Sequence, residues 1–110
     1  DFDALTALSG SGPAYVFALA EAMAAGGVSL GLAPALARQL AETTVAGAGR
    51  LLAGSGDDAA TLRARVTSPG GTTAAALERF ESLGFQAVVT AAMEAAARRS
   101  HELGTATGET

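Results

Sequence analysis

The sequence predicts an all-α domain, and three observations carry that prediction. Alanine is abundant while β-branched and aromatic residues are sparse, so helix propensity is high along the whole chain. Apolar residues recur at helical spacing rather than in alternation. Glycine and proline gather at residues 10–13, 31–34, 54–56 and 69–71 and at Gly84, and these breaks divide the chain into about six helices, three of them long.

Residues 2–9 form a short helix in which Phe2, Leu5 and Leu8 share a face and Thr6 points elsewhere. Residues 10–13 break the helix and restart it. Pro13 suits the first helical position and Ser11 or Gly12 the cap, so free backbone amides and a hydroxyl meet there, although local evidence alone favours an ordinary helix–helix junction. Residues 13–30 are a long helix with Tyr15, Val16, Phe17, Leu19 and Met23 spread around it. Gly26 and Gly27 cost roughly 1 kcal/mol each against alanine inside a helix, or else let another helix approach closely. Gly31 fits the stop and Pro34 the next start. The third helix, 34–53, presents Leu36, Leu40, Thr43, Thr44, Gly47 and Leu51 together, with small residues that favour close packing.

Asp57 and Asp58 open a short helix, 58–66, and read as caps rather than a catalytic acid pair; Arg63 and Arg65 read as a solvated face. Helix 73–82 turns Leu77 and Phe80 inward. Helix 85–103 carries a stripe of Phe85, Val88, Val89, Ala92, Met93 and Ala96 expected to be buried. Arg98, Arg99 and His101 suit the negative end of its dipole, with His101 exposed. Residues 104–110 are a polar tail expected to be disordered.

Composition narrows the function. The 110 residues suffice for one domain with a modest core. With no cysteine and one histidine, neither a disulfide framework nor a thiolate or histidine metal site is expected. Net charge is −4, every basic residue is arginine, and the positives are scattered, which argues against nucleic acid as partner. Residues 13–37 are nearly uncharged, but Gly26, Gly27 and Pro34 interrupt them and no basic belt flanks them, so no membrane span is expected. No secretory signal is read, and a cytoplasmic location is expected. The start at Asp1 suggests a piece of a longer protein. Two of the long helices are apolar on more than one side, more than a monomer of this length buries, so an interlocked dimer is expected.

Residues 66–73, Val-Thr-Ser-Pro-Gly-Gly-Thr-Thr, hold the densest cluster of backbone-special residues. Pro69 restrains itself and Ser68, the glycines leave space, and Thr72 or Thr73 can cap the following helix. Two readings stand: a tight capped turn, the commoner outcome for such a segment, or a small-anion site where a helix begins with unpartnered amides beside hydroxyls.

With both junctions in view, the chain resembles the C-terminal domain of pyrroline-5-carboxylate reductase. Residues 3–15, Asp-Ala-Leu-Thr-Ala-Leu-Ser-Gly-Ser-Gly-Pro-Ala-Tyr, look like that family's opening segment, residues 66–73 look like its signature loop, and the spacing between them and Gly84-Phe85 also fit. The resemblance covers about residues 1–103. It implies a helical dimerisation and substrate-binding domain over 1–103. It also implies an N-terminal dinucleotide-binding domain absent from this chain, so that the chain alone would be inactive. The implied reaction is reduction of 1-pyrroline-5-carboxylate to L-proline with NADPH or NADH, the last step of proline biosynthesis. The implied assembly is a homodimer, commonly built up as a decamer of five dimers. The site residues carry over position by position. Ser68, Gly71, Thr72 and Thr73 match the loop that holds the substrate carboxylate, Thr72 acting through its amide. Thr6 matches a threonine near the ring nitrogen and Ser11 a serine of the same pocket, which the family forms at a dimer interface. Imine reduction needs orientation and polarisation but no strong acid or nucleophile, which suits a chain without Cys or Lys. The alternatives are a non-enzymatic helical dimerisation module and the helical domain of a related dehydrogenase acting on another small acid. A glycine-rich fingerprint upstream of Asp1 distinguishes the first, and the Ser-Pro-Gly-Gly loop argues against the second.

Overall fold

The computed structural model describes residues 1–106, and among them every regular element is helical. The elements are α1 (Phe2–Leu5), a π-helical turn (Thr6–Gly10), α2 (Gly12–Ser29), α3 (Pro34–Gly54), α4 (Ala59–Arg65), α5 (Thr72–Ser82) and α6 (Phe85–Ala106). The all-α class is as expected. The first expected helix is a composite, four residues of α-helix running into a five-residue π turn. α6 continues through Gly104, Thr105 and Ala106, so these three residues of the expected tail are helical; the rest of it lies outside the described residues.

Backbone contacts divide the chain into two units, residues 1–13 with 70–110 and residues 14–69. In the first unit, α1 and the π turn pack on α6, and α5 packs on the start of α6. Gly84, at φ +80°, makes the sharp link between α5 and α6 that a β-carbon would strain. Across it Phe80 stacks on Phe85 with ring centroids 5.0 Å apart. Ala7, 2 % exposed, is the buried point of this unit.

In the second unit α2 and α3 approach closely near the turn that joins them. A β-carbon at Gly27 would lie 3.2 Å from Ala37 Cβ and 3.3 Å from Leu32 Cδ1. Ala37 and Ala41, one helical turn apart, are buried there. The small-residue contact, not the leucine face of α3, makes the core of this unit: Leu36 and Leu40 stay about half exposed. Gly27→Val is therefore expected to overpack this crossing and lower stability by about 1–3 kcal/mol, read as a fall in thermal midpoint; an unchanged midpoint removes the close approach from the account.

α4 begins as expected. The Asp58 carboxylate accepts from Thr61 N–H at 2.9 Å, and these hydrogen bonds hold its carboxyl below the usual range. Asp57 takes a different role, pairing with Arg65 at 2.7 Å, so Arg65 is not simply solvated. Both are partly exposed, and such a pair contributes little stability.

Several expected core positions are uncovered in the single chain. Phe80 and Phe85 are nearly half exposed, Val88 is 64 % exposed and Phe2, Leu5 and Leu8 more than half. In the predicted α6 stripe only Met93 and Ala96 are half-buried. No residue of the long apolar α2 is buried. The chain exposes 8228 Å². Two separate compact bodies of half its mass would together expose roughly 6,700 Å². The stripes are apolar as expected, but the single chain leaves them largely uncovered.

Candidate functional site

The π turn is the structural event at the first motif. Ser11 N–H donates to Thr6 C=O at 2.9 Å, five residues back instead of four. The extra residue swings the chain by part of a turn and sets Ala7 inward, leaving Thr6 and Ser11 half-buried. Gly10 lies against Thr6: a β-carbon there would sit 3.4 Å from Thr6 Cγ2, an ordinary contact. Such turns are rare in helices and are frequent at functional sites.

Thr6 and Ser11 line one cavity of about 470 Å³, together with Phe2 from α1 and Arg99, Ser100 and Leu103 from α6. Its hydroxyls stand among apolar side chains, an arrangement suited to orienting a small polar ring. Arg99 is paired with Glu102 at 3.1 Å and remains two-thirds exposed. The α6 residues Arg99 and Ser100 were not expected at this site. They follow Thr6 by more than ninety positions, and nothing in local pattern marks which turn of α6 the π turn packs against.

The second motif forms a helix entry. Gly70 adopts φ +70°, a conformation that favours glycine. α5 then starts at Thr72, with Gly71 as its N-cap and no side-chain capping bond. This corrects the expected capping by Thr72 or Thr73, which lie inside the first helical turn. Gly71 has no side chain to close the entry, and a helix start leaves its first-turn amides without intrahelical partners, an arrangement that can receive a small anion. Thr67 is occupied otherwise, its hydroxyl donating to Arg63 C=O at 2.6 Å.

The predicted residues thus fall into two groups. Thr6 and Ser11 share a cavity; Ser68, Gly71, Thr72 and Thr73 do not line it. Ser68 belongs to the unit 14–69, whereas Gly71, Thr72 and Thr73 belong with Thr6 to the other. Among the described residues no cluster of His, Asp or Glu could hold a metal ion, and no helix is long and apolar enough to cross a membrane.

Residues 1–103 match the family model described as pyrroline-5-carboxylate reductase dimerisation. The chain is 50 % identical over 102 residues to a pyrroline-5-carboxylate reductase of Arabidopsis thaliana, covering 93 % of this chain and 37 % of that protein. It is 48 % identical over 107 residues to the Pseudomonas aeruginosa enzyme of the same name, covering 97 % and 39 %. Among solved structures it resembles a Plasmodium falciparum pyrroline carboxylate reductase with NADP bound, at TM-score 0.88 and 36 % identity, over 94 % of this chain and 42 % of that one. A Coxiella burnetii pyrroline-5-carboxylate reductase superposes at TM-score 0.87 and 42 % identity, over 92 % and 37 %. The chain therefore spans well under half the length of the relatives it matches.

Proposed function

The chain belongs to the pyrroline-5-carboxylate reductase dimerisation family, and on that premise we propose that it is the helical dimerisation and substrate-binding part of an enzyme that reduces 1-pyrroline-5-carboxylate to L-proline. The observation that carries this reading is the split site. Thr6 and Ser11 share a cavity beside a π turn, and the open amide end of α5 lies outside it. Two incomplete halves with complementary chemistry make one site when two copies of the chain meet.

The described residues hold no strand leading into a glycine-rich turn, so they do not themselves form a dinucleotide-binding crossover. A pyridine nucleotide, NADPH or NADH, would supply the hydride when bound. The residues of this chain do the rest. The α5 entry, through the Gly71, Thr72 and Thr73 amides and the Thr73 hydroxyl, holds the substrate carboxylate and so fixes the plane and tilt of the ring. Thr6 donates to the ring nitrogen, or orients water toward it, as the imine becomes an amine. Ser11 completes the polar wall of that cavity.

The homodimer is part of the same proposal. The chain exposes about 1,500 Å² more than two compact bodies of its mass, which matches the share one subunit contributes to a permanent interface of roughly 2,000–5,000 Å² in total. In the second unit, an open groove of about 760 Å³ between α2 and α3 is lined by Phe17, Ala20, Ala24, Val45 and Ala46 with a charged rim, and it receives a helix of the second copy. Further assembly of dimers, as in a decamer, would use other surfaces.

Thr73→Ala in the full-length enzyme tests the carboxylate role. The Michaelis constant for 1-pyrroline-5-carboxylate is expected to rise about ten-fold or more with a smaller change in kcat. An unchanged constant takes the α5 entry out of substrate binding. Faster turnover of a cyclic imine lacking the carboxylate than of 1-pyrroline-5-carboxylate would overturn the substrate assignment.

A further inference from the structure

We propose that Asp3 and Ser100 are positioning residues that hold the π turn, and with it Thr6, in the orientation used on the substrate; this rests on the role of Thr6 given above. Four observations join up. Ser100 Oγ donates to Asp3 Oδ1 at 2.8 Å, a half-buried bond linking residues 97 apart in sequence. The other carboxylate oxygen of Asp3 lies 3.4 Å from His101 Nδ1 on the next residue of α6. The Asp3 backbone carbonyl shares the Thr6 N–H with the Phe2 carbonyl. The Thr6 carbonyl in turn accepts from Ser11 N–H across the π turn.

Asp3 is therefore gripped by α6 through its side chain and grips Thr6 through its backbone. A π turn is a rare, single-turn interruption of an α-helix and needs contacts around it to persist. Left alone, the segment relaxes toward α-helical register, and a shift of one residue rotates a side chain by about 100° around the helix axis. Ala7 packing sets how deep the turn sits, but a methyl group carries no direction. The Ser100–Asp3 bond is directional, and it acts one step from Thr6. Ser100 also lines the cavity that Thr6 and Ser11 line, so the tether stands within the site and not behind it.

The test is a double-mutant cycle in the full-length enzyme. Ser100→Ala is expected to lower kcat about ten-fold while leaving the Michaelis constant for 1-pyrroline-5-carboxylate within two-fold, because the carboxylate site is untouched. Ser100→Thr, which keeps a hydroxyl, is expected to restore most of kcat. Asp3→Ala should reproduce Ser100→Ala, which guards against loss of one variant to misfolding. In a Thr6→Ala background Ser100→Ala should change kcat no further, since nothing remains to be positioned. If Thr6→Ala is damaging and Ser100→Ala lowers kcat by the same factor in both backgrounds, the positioning role is overturned and the role of Thr6 stands. If Thr6→Ala leaves kcat/KM unchanged, the reading of Thr6 itself fails and this inference with it.

Discussion

Thr6→Ala in the full-length enzyme is expected to lower kcat/KM for 1-pyrroline-5-carboxylate by about 100-fold, the lower part of the range for a positioned proton donor. The loss should appear mainly in kcat. In the proposed role the hydroxyl acts as the ring nitrogen gains a proton, and less while the imine is merely bound. Thr6→Ser keeps the hydroxyl but loses the methyl that rests near Gly10, and is expected to retain most of the rate. The pH profile sharpens the result. If the imine is protonated by solvent before reduction, Thr6→Ala loses little at low pH and most at high pH. If Thr6 supplies or relays the proton, the loss persists at low pH. An alanine variant with wild-type kcat/KM at every pH removes Thr6 from the chemistry.

Phe17→Asp is expected to convert the dimer to monomers and to abolish measurable turnover. Phe17 is 67 % exposed in the single chain and lines the groove between α2 and α3. If a second copy fills that groove, the substitution places an unpaired carboxylate in an apolar interface, at a cost of several kcal/mol per site and twice that per symmetric dimer. Sedimentation or light scattering at micromolar protein reads the dissociation directly. On the proposed two-chain site, activity should fall with it. A Phe17→Asp protein that stays dimeric takes the groove out of the interface. One that becomes monomeric yet keeps full turnover overturns the two-chain site.

The helix inventory was legible because its signals are local. Pro34 and Gly31 mark the α2–α3 boundary, Asp58 caps α4, and Gly84 forces the α5–α6 turn, each through a backbone constraint carried by one or two residues. The two motifs were legible for a similar reason, since helix entries rich in Gly, Ser and Thr expose amides whatever surrounds them. The π turn was not. The sequence of residues 2–9 fits an ordinary amphipathic turn, and the bulge depends on which register lets Ala7 pack on α6 and Asp3 meet Ser100. The cap of α5 was misassigned between adjacent residues, because Gly71 and Thr72 are both acceptable caps and the difference lies in the entry angle of the chain.

By itself, the sequence determined that the chain is helical, where its helices start and stop, that its long helices carry more apolar surface than one chain covers, and which hydroxyls and amides stand at the two junctions. These follow from propensity, capping and periodicity, which act over a few residues. The tertiary structure alone decided that small residues, Gly27 with Ala37 and Ala41, make the close helix crossing, that Thr6 sits on a π turn, and that Asp3 and Ser100 meet across α1 and α6. Such contacts join residues far apart in sequence, and their geometry is set by how closely whole helices approach, a quantity that no local pattern encodes.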